Sequence, residues 1–317
     1  MEDSAVNLNM ASRNAAPDEL AASISPAIES LLRGTYRMLC AIGRPIGGVR
    51  PRRVYHALAR RAYTRPDFRW TRNRWGHELY LSPHYHLDFE IISFGTYDIS
   101  LHRFIERHVQ PGMYCADVGA NMGEVALHMA KCVGSDGRVF AFEPVPHLFR
   151  KLTDNVFRNH LQATIDARQL AVLDKPTTVV IDHPTEDAVN QGLGSIMNSP
   201  RTSTSRQTAV EGTSLDDFIR REAVPRLDFL KLDIQGAEYL LLDGARETLT
   251  RFSPDFVMEI SPLDLAPAGL TSRDLMARAE ERGYQIYALD DGRIGARLRS
   301  AAVADDFAAS NVFCTKR

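Results

Sequence analysis

The chain has 317 residues, 44% hydrophobic and 25% charged, which is enough for one large α/β domain or two average ones and excludes global disorder. No apolar run approaches the ~18 residues of a membrane-crossing helix; Met1-Glu2-Asp3 gives no expectation of a secretory leader; and four cysteines without a C-x-x-C pair (Cys40, Cys115, Cys132, Cys314) argue against a disulfide framework or zinc knuckle, making a cytoplasmic setting the expectation. The net charge of −2 hides a basic arm of +11 between Arg33 and Arg74, where 12 arginines face the single acid Asp67, ahead of a body of −13.

Residues 1–24 are polar and alanine-rich without periodicity, so a disordered tail is expected. Ser25-Pro26 reads as an N-cap with proline at the first helical position, and Ile28, Leu31, Leu32, Leu39 and Ile42 then recur at helical spacing. A second short helix is expected over Val54–Tyr63, so residues 25–74 form an arginine-rich helical extension. Its charge suits either packing on its own body or contact with an anionic surface; no nucleic-acid motif accompanies it, and no nucleic acid is expected as partner.

From Trp75 to the end, residues 75–317, the pattern becomes that of an α/β domain. Glu78–Leu81 reads as a strand, and Asp88–Gly95 and Ile99–His108 as helical or mixed. Strands over Tyr114–Val118, Arg138–Glu143, Gln169–Leu173, Leu227–Asp233, Asp255–Ile260, Tyr284–Leu289 and Asn311–Thr315 alternate with helices over Glu124–Cys132, His147–Asn159, Ala237–Thr250 and Ser272–Arg282. Short apolar strands separated by helices predict a parallel sheet covered on both faces, a doubly wound Rossmann-like fold. His183–Arg206, rich in Gly, Ser, Thr, Pro and Asn, reads as a long loop in which Gly192–Ser195 is a candidate part of an acceptor pocket.

The most informative segment is Asp117-Val118-Gly119-Ala120-Asn121-Met122-Gly123, at the junction of strand and helix. Gly119 permits a tight turn and close approach to a ligand, and Asn121 tolerates left-handed backbone. Gly123 lets the helix start close to the sheet, with free N–H groups facing a ligand carboxylate. Such a turn also occurs without any ligand. Glu143, 20 residues after Gly123, tips the next strand, where an acid accepts from both hydroxyls of a ribose. Asn121 replaces the second glycine of the dinucleotide fingerprint, which weakens an NAD-dependent reading. Asp117 disfavours a diphosphate and suits an ammonium or sulfonium group; S-adenosylmethionine carries both. No Walker motif is present.

These segments resemble the FkbM-type family of S-adenosylmethionine-dependent methyltransferases over roughly Ser93–Glu259. Matching segments are D-V-G-A-N-M-G at 117–123, F-E-P at 142–144, T-S-L-D-D-F at 213–218, K-L-D-I-Q-G-A-E at 231–238 and M-E-I at 258–260. Gln235 stands where the family usually has glutamate, and Gly95-Thr96-Tyr97-Asp98 is similar to a segment upstream of its glycine turn. The resemblance implies a seven-stranded methyltransferase sheet whose last strand, Asn311–Thr315, inserts antiparallel beside the fifth. It also implies O-methylation of a hydroxyl on a sugar, glycan or secondary metabolite. The competing reading is a non-catalytic scaffold of this fold in glycan assembly.

On this reading Asp117, Gly119, Ala120, Asn121, Gly123, Glu143, Gln169 and Asp233 bind the cofactor, Gln169 or nearby backbone contacting the adenine. Asp233 is the first candidate for general base and Glu238 the second. Asp233 with Glu259 or Glu238 also suits a divalent cation, although no residue is assigned as a metal ligand. More plainly, Asp233 caps the following turn and Glu238 suits the helix dipole there. Lys231, on a buried strand, needs an acidic partner. His84 and His86 sit at i, i+2 as on a strand, but lack a third ligand.

Overall fold

The computed structural model describes residues 30, 34, 66–185 and 205–317. The expected tail, the Val54–Tyr63 helix and Gly192–Ser195 lie outside the described residues. In chain order the elements are β1 (Arg69–Arg72), β2 (Glu78–Leu81), α1 (His86–Phe94), α2 (Ile99–His108), β3 (Tyr114–Val118), α3 (Glu124–Val133), β4 (Arg138–Phe142) and α4 (Pro146–Arg158). They continue with β5 (Ile165–Arg168), β6 (Ala171–Leu173), β7 (Thr177–Pro184), β8 (Ser205–Ser214), α5 (Leu215–Arg221), β9 (Phe229–Leu232), α6 (Glu238–Asp243) and α7 (Arg246–Arg251). β10 (Asp255–Ile260), α8 (Pro262–Leu265), α9 (Ser272–Glu281), β11 (Gln285–Asp290), β12 (Arg293–Leu298) and β13 (Ala309–Thr315) complete them. Among the described residues no helix is long and apolar enough to cross a membrane.

The helix starts follow local chemistry. The Asp98 and Ser214 side chains cap α2 and α5, Thr271 and Asp274 form a reciprocal capping box on α9, and Pro146 opens α4.

The main sheet has the order β12-β11-β13-β10-β9-β3-β4-β5. Strands β10, β9, β3, β4 and β5 run parallel, and β13 inserts antiparallel between β10 and β11, as the sequence predicts. Side chains alternate between two cores. Ala116 and Val118 of β3 join Leu230, Leu232, Phe218, Leu241 and Leu275 on one face. Cys115, Phe229, Val257, Phe104, Leu127 and Leu152 pack on the other. Each large side chain so buried contributes about 1.5–3 kcal/mol.

Four expectations are corrected. The sheet has eight strands rather than seven, because β12 hairpins back on β11 as an added edge. The third strand does not run through Gln169–Leu173: β5 stays in the main sheet, and the chain then leaves it so that β6 pairs with β8 in a separate β6-β8-β7 sheet. The helix expected over Ala237–Thr250 is interrupted at Gly244, where a Cβ would overlap the Leu173 carbonyl and Asp174 backbone. Finally, β1, inside the arm expected to be helical, is a strand paired antiparallel with β2, so this hairpin straddles the boundary at residue 75.

Candidate active site

A cavity of about 820 Å³ opens beyond the carboxyl ends of β3, β4, β9 and β10, the usual ligand position in open α/β sheets. Its floor is the glycine turn. Gly119, Asn121 and Gly123 have φ of 80°, 51° and 90°, the left-handed region that glycine and asparagine tolerate best. A Cβ on Gly119 would overlap the Asp233 carbonyl oxygen, so only glycine lets the turn pass beneath β9.

Of the predicted site residues, Gly119, Ala120, Asn121, Glu143 and Asp233 line this cavity. Asp117 lies behind the lining with no exposed surface, and Gly123 caps α3 against Leu152. Gln169 is exposed, outside the lining, with its amide 3.5 Å from the Pro144 carbonyl; Leu170, Ala171 and Val172 form the wall instead. Glu238 is buried outside the lining and accepts the Ile234 N–H at 2.8 Å, holding the turn after β9. His84 and His86 flank the start of α1 rather than sharing a strand, and only His86 reaches the cavity.

Glu143 fixes the turn. Its Oε2 accepts the Asn121 N–H at 2.8 Å and its Oε1 the Val145 N–H at 2.9 Å. The Met122 N–H donates to Asn121 Oδ1, and the Gly123 N–H to the Ala120 carbonyl. The turn's donors are therefore already used, contrary to expectation. N–H groups for a ligand anion lie one step further, in the first turn of α3, where Glu124 and Val125 line the cavity.

Lys231 finds its acidic partners on both sides. Its Nζ stands 3.3 Å from Asp117 Oδ1 and 3.4 Å from Asp233 Oδ2, and donates to the Gly119 carbonyl at 3.0 Å. Burial works against its charge, but the two carboxylates hold its pKa above the usual lysine value. Neither Asp117 oxygen has a well-aligned hydrogen-bond donor among the described residues, and burial raises its pKa. Gln235, also left-handed at φ 53°, points its amide at Asp233 Oδ1 (3.1 Å) and Glu259 Oε2 (3.4 Å). Where a glutamate would add a further acid, this amide donates to both carboxyl groups. Among the described residues no group of three His, Cys, Asp or Glu side chains is arranged to hold a metal.

Burial pushes Glu143 and Glu238 up to about 7, and burial with the charges of Asp233, Glu238 and Asp264 pushes Glu259 up to about 8. Between the usual 4.5 and these values the folded chain binds more protons than the unfolded one, so stability is present at low pH and lost as pH rises. Thermal melting of the ligand-free protein should give a lower Tm at about pH 8 than at about pH 5.5, and Glu143→Gln should flatten that slope.

Tyr97 and Asp98, in the segment that is similar to one upstream of the family's glycine turn, both line the cavity. Sequence reasoning missed His102 and Glu124, read only as part of a helical or mixed stretch and as a helix start. Trp75 stacks on the His102 ring at 4.2 Å, and Asn311 of β13 donates to Asp98 Oδ2 at 2.9 Å.

Comparison with known proteins bears on this arrangement. Residues 117–286 match the profile of the Methyltransferase FkbM domain, which is more than half of the chain. The chain is 24% identical over 222 residues to methyltransferase sdnD of Sordaria araneosa, covering 62% of this chain and 80% of that one. It is 25% identical over 171 residues to the 2-O-methyltransferase NoeI of Sinorhizobium fredii, covering 49% and 67%. With the hexuronic acid methyltransferase AglP of Haloferax volcanii it shares 28% over 142 residues, 42% of this chain and half of that one. Among solved structures, the methyltransferase FkbM of Methylobacillus flagellatus aligns with a TM-score of 0.40 and 18% identity, over 64% of this chain but only 43% of the other. The profile begins at Asp117, the residue that opens the glycine turn, and runs through the strand ends that bound the cavity: this chain belongs to the FkbM methyltransferase family.

Proposed function

We propose that the chain is an S-adenosylmethionine-dependent O-methyltransferase acting on a hydroxyl of a sugar, glycan or secondary metabolite. The observation that carries the reading is Glu143, whose buried carboxylate is locked to the glycine turn while keeping lone pairs toward the cavity. The residues fit the cofactor. Glu143, Asn121 and the start of α3 line one cavity, and the turn at Gly119, where a Cβ would strike the Asp233 carbonyl, brings them together there. Phe142, Val145, Leu148, Leu170 and Val172 offer an apolar wall to the adenine.

When bound, the cofactor supplies a methyl group on a positively charged sulfur, already activated for displacement. The chain's own work is to orient and to move one proton. Glu143 accepts from the ribose hydroxyls. Asp233, at the strand end beside the turn, takes the proton of the acceptor hydroxyl, and Glu259, tied to it through Gln235, shares that charge. Lys231 keeps Asp233 in place from behind. Since Lys231 and Gln235 already occupy these carboxylates, no divalent ion is needed, and turnover should survive EDTA unchanged.

The test incubates the protein with S-adenosylmethionine and candidate hydroxyl acceptors and reads a mass gain of one CH₂. Titration with the cofactor by calorimetry separates the enzyme from the scaffold reading. A chain that binds neither S-adenosylmethionine nor S-adenosylhomocysteine is no methyltransferase.

A further inference from the structure

On the α2–α3 side of the cavity two polar atoms face each other with no hydrogen-bond partner among the described residues: His102 Nε2 and Glu124 Oε1, 3.9 Å apart. Both residues line the cavity, and they are only 0% and 7% exposed. Leaving such buried atoms unpaired is unfavourable, so the gap calls for an occupant.

The chemistry of the occupant follows from the roles of the two atoms. His102 Nδ1 lies 2.7 Å from the Asp98 carbonyl oxygen, which can only accept, so Nδ1 carries the hydrogen, and in the neutral imidazole Nε2 presents a lone pair. Trp75, stacked on the ring, fixes that orientation. Glu124 Oε2 accepts the Tyr97 N–H at 3.3 Å and the Thr96 hydroxyl lies beside the carboxyl, while Oε1 has no well-aligned donor and stands as the second open acceptor. Two acceptors across a gap require a group with at least two donors. A hydroxyl has one; a primary ammonium has three and no lone pair. An ammonium nitrogen placed about 2.9 Å from each atom would span the gap at an angle of roughly 85°.

We propose that this gap seats the primary ammonium of the donor nucleoside's amino-acid tail. The inference rests on the cofactor assigned above. Its position favours the tail over an amine on the acceptor. Glu124 directly follows the glycine turn, and the first-turn N–H groups of α3 on the same side suit the carboxylate borne by the same carbon. The Gly119 carbonyl at this turn already accepts from Lys231.

The experiment is calorimetric titration of the full chain, wild type and Glu124→Gln, with S-adenosylhomocysteine and with 5′-deoxy-5′-methylthioadenosine, which lacks the amino-acid tail. The glutamine keeps an oxygen for Tyr97 but removes the charge. S-Adenosylhomocysteine affinity should fall by about 10–100-fold while methylthioadenosine affinity changes by less than about twofold. Glu124→Asp, which keeps the charge, should recover part of the loss. Equal losses for both ligands, or none for either, would overturn the assignment, the second outcome meaning that water or an acceptor's amine fills the gap. A wild-type chain that binds neither nucleoside would overturn it together with the cofactor reading, so the two failures are told apart.

Discussion

Glu143→Ala should abolish measurable binding of S-adenosylmethionine while leaving a folded protein. Two losses coincide. The ribose hydroxyls lose their acceptor, and the Asn121 and Val145 N–H groups lose the carboxylate that holds them at 2.8 and 2.9 Å. Hydrogen bonds to a charged group contribute about 1.5–3 kcal/mol each, so two to the ribose give roughly 100-fold or more in affinity. Glu143→Gln keeps an acceptor oxygen and should lose less. Calorimetry on both variants, with melting curves alongside, separates grip on the ligand from support of the turn. Unchanged affinity in the alanine variant would remove the ribose from this site.

Asp233→Asn should leave cofactor affinity within a few-fold and slow turnover by about 10²–10⁴-fold, the range over which a positioned general base acts. The affinity change is small because Lys231 still has Asp117 as partner at 3.3 Å, and the Asn121–Glu143 bond is untouched. Glu259→Gln should act differently. Its carboxyl is pushed up to about 8 by burial and by its acidic neighbours, so at neutral pH it is the neutral acid, and a glutamine amide in its place keeps a neutral donor beside Asp233. Turnover should therefore fall much less than in Asp233→Asn. Parallel losses of affinity and turnover in Asp233→Asn would exclude it as base.

Much of this was legible in the chain because the parallel core writes itself as apolar runs: β3, β4 and β9 are buried on both faces, and their tips carry Asp117, Glu143 and Asp233. The insertion of β13 beside β10 followed from the family pattern. What stayed hidden was set by tertiary contact. Gln169 lies where the chain changes sheets, and no local periodicity announces that switch. Gly244 looks like any helical glycine until the Leu173 carbonyl is placed against it. Glu238 stood as the second candidate base after Asp233; its bond to the Ile234 N–H turns it into a brace. His102 and Glu124 are 22 positions apart, and nothing in either helix pattern joins them.

The small β6-β8-β7 sheet has a consequence for how acceptors can change over evolutionary time. Ile181 of β7 sits in the cavity wall, and β7 is zipped antiparallel to β8 from Thr177 opposite Gly212 to Pro184 opposite Ser205. The glycine turn and Glu143, which would hold the nucleoside, hang on other strands. Changes at Ile181 and its neighbours on this ribbon therefore leave the main sheet's register untouched, so that wall of the cavity can be reshaped while the turn on the main sheet stays under separate selection.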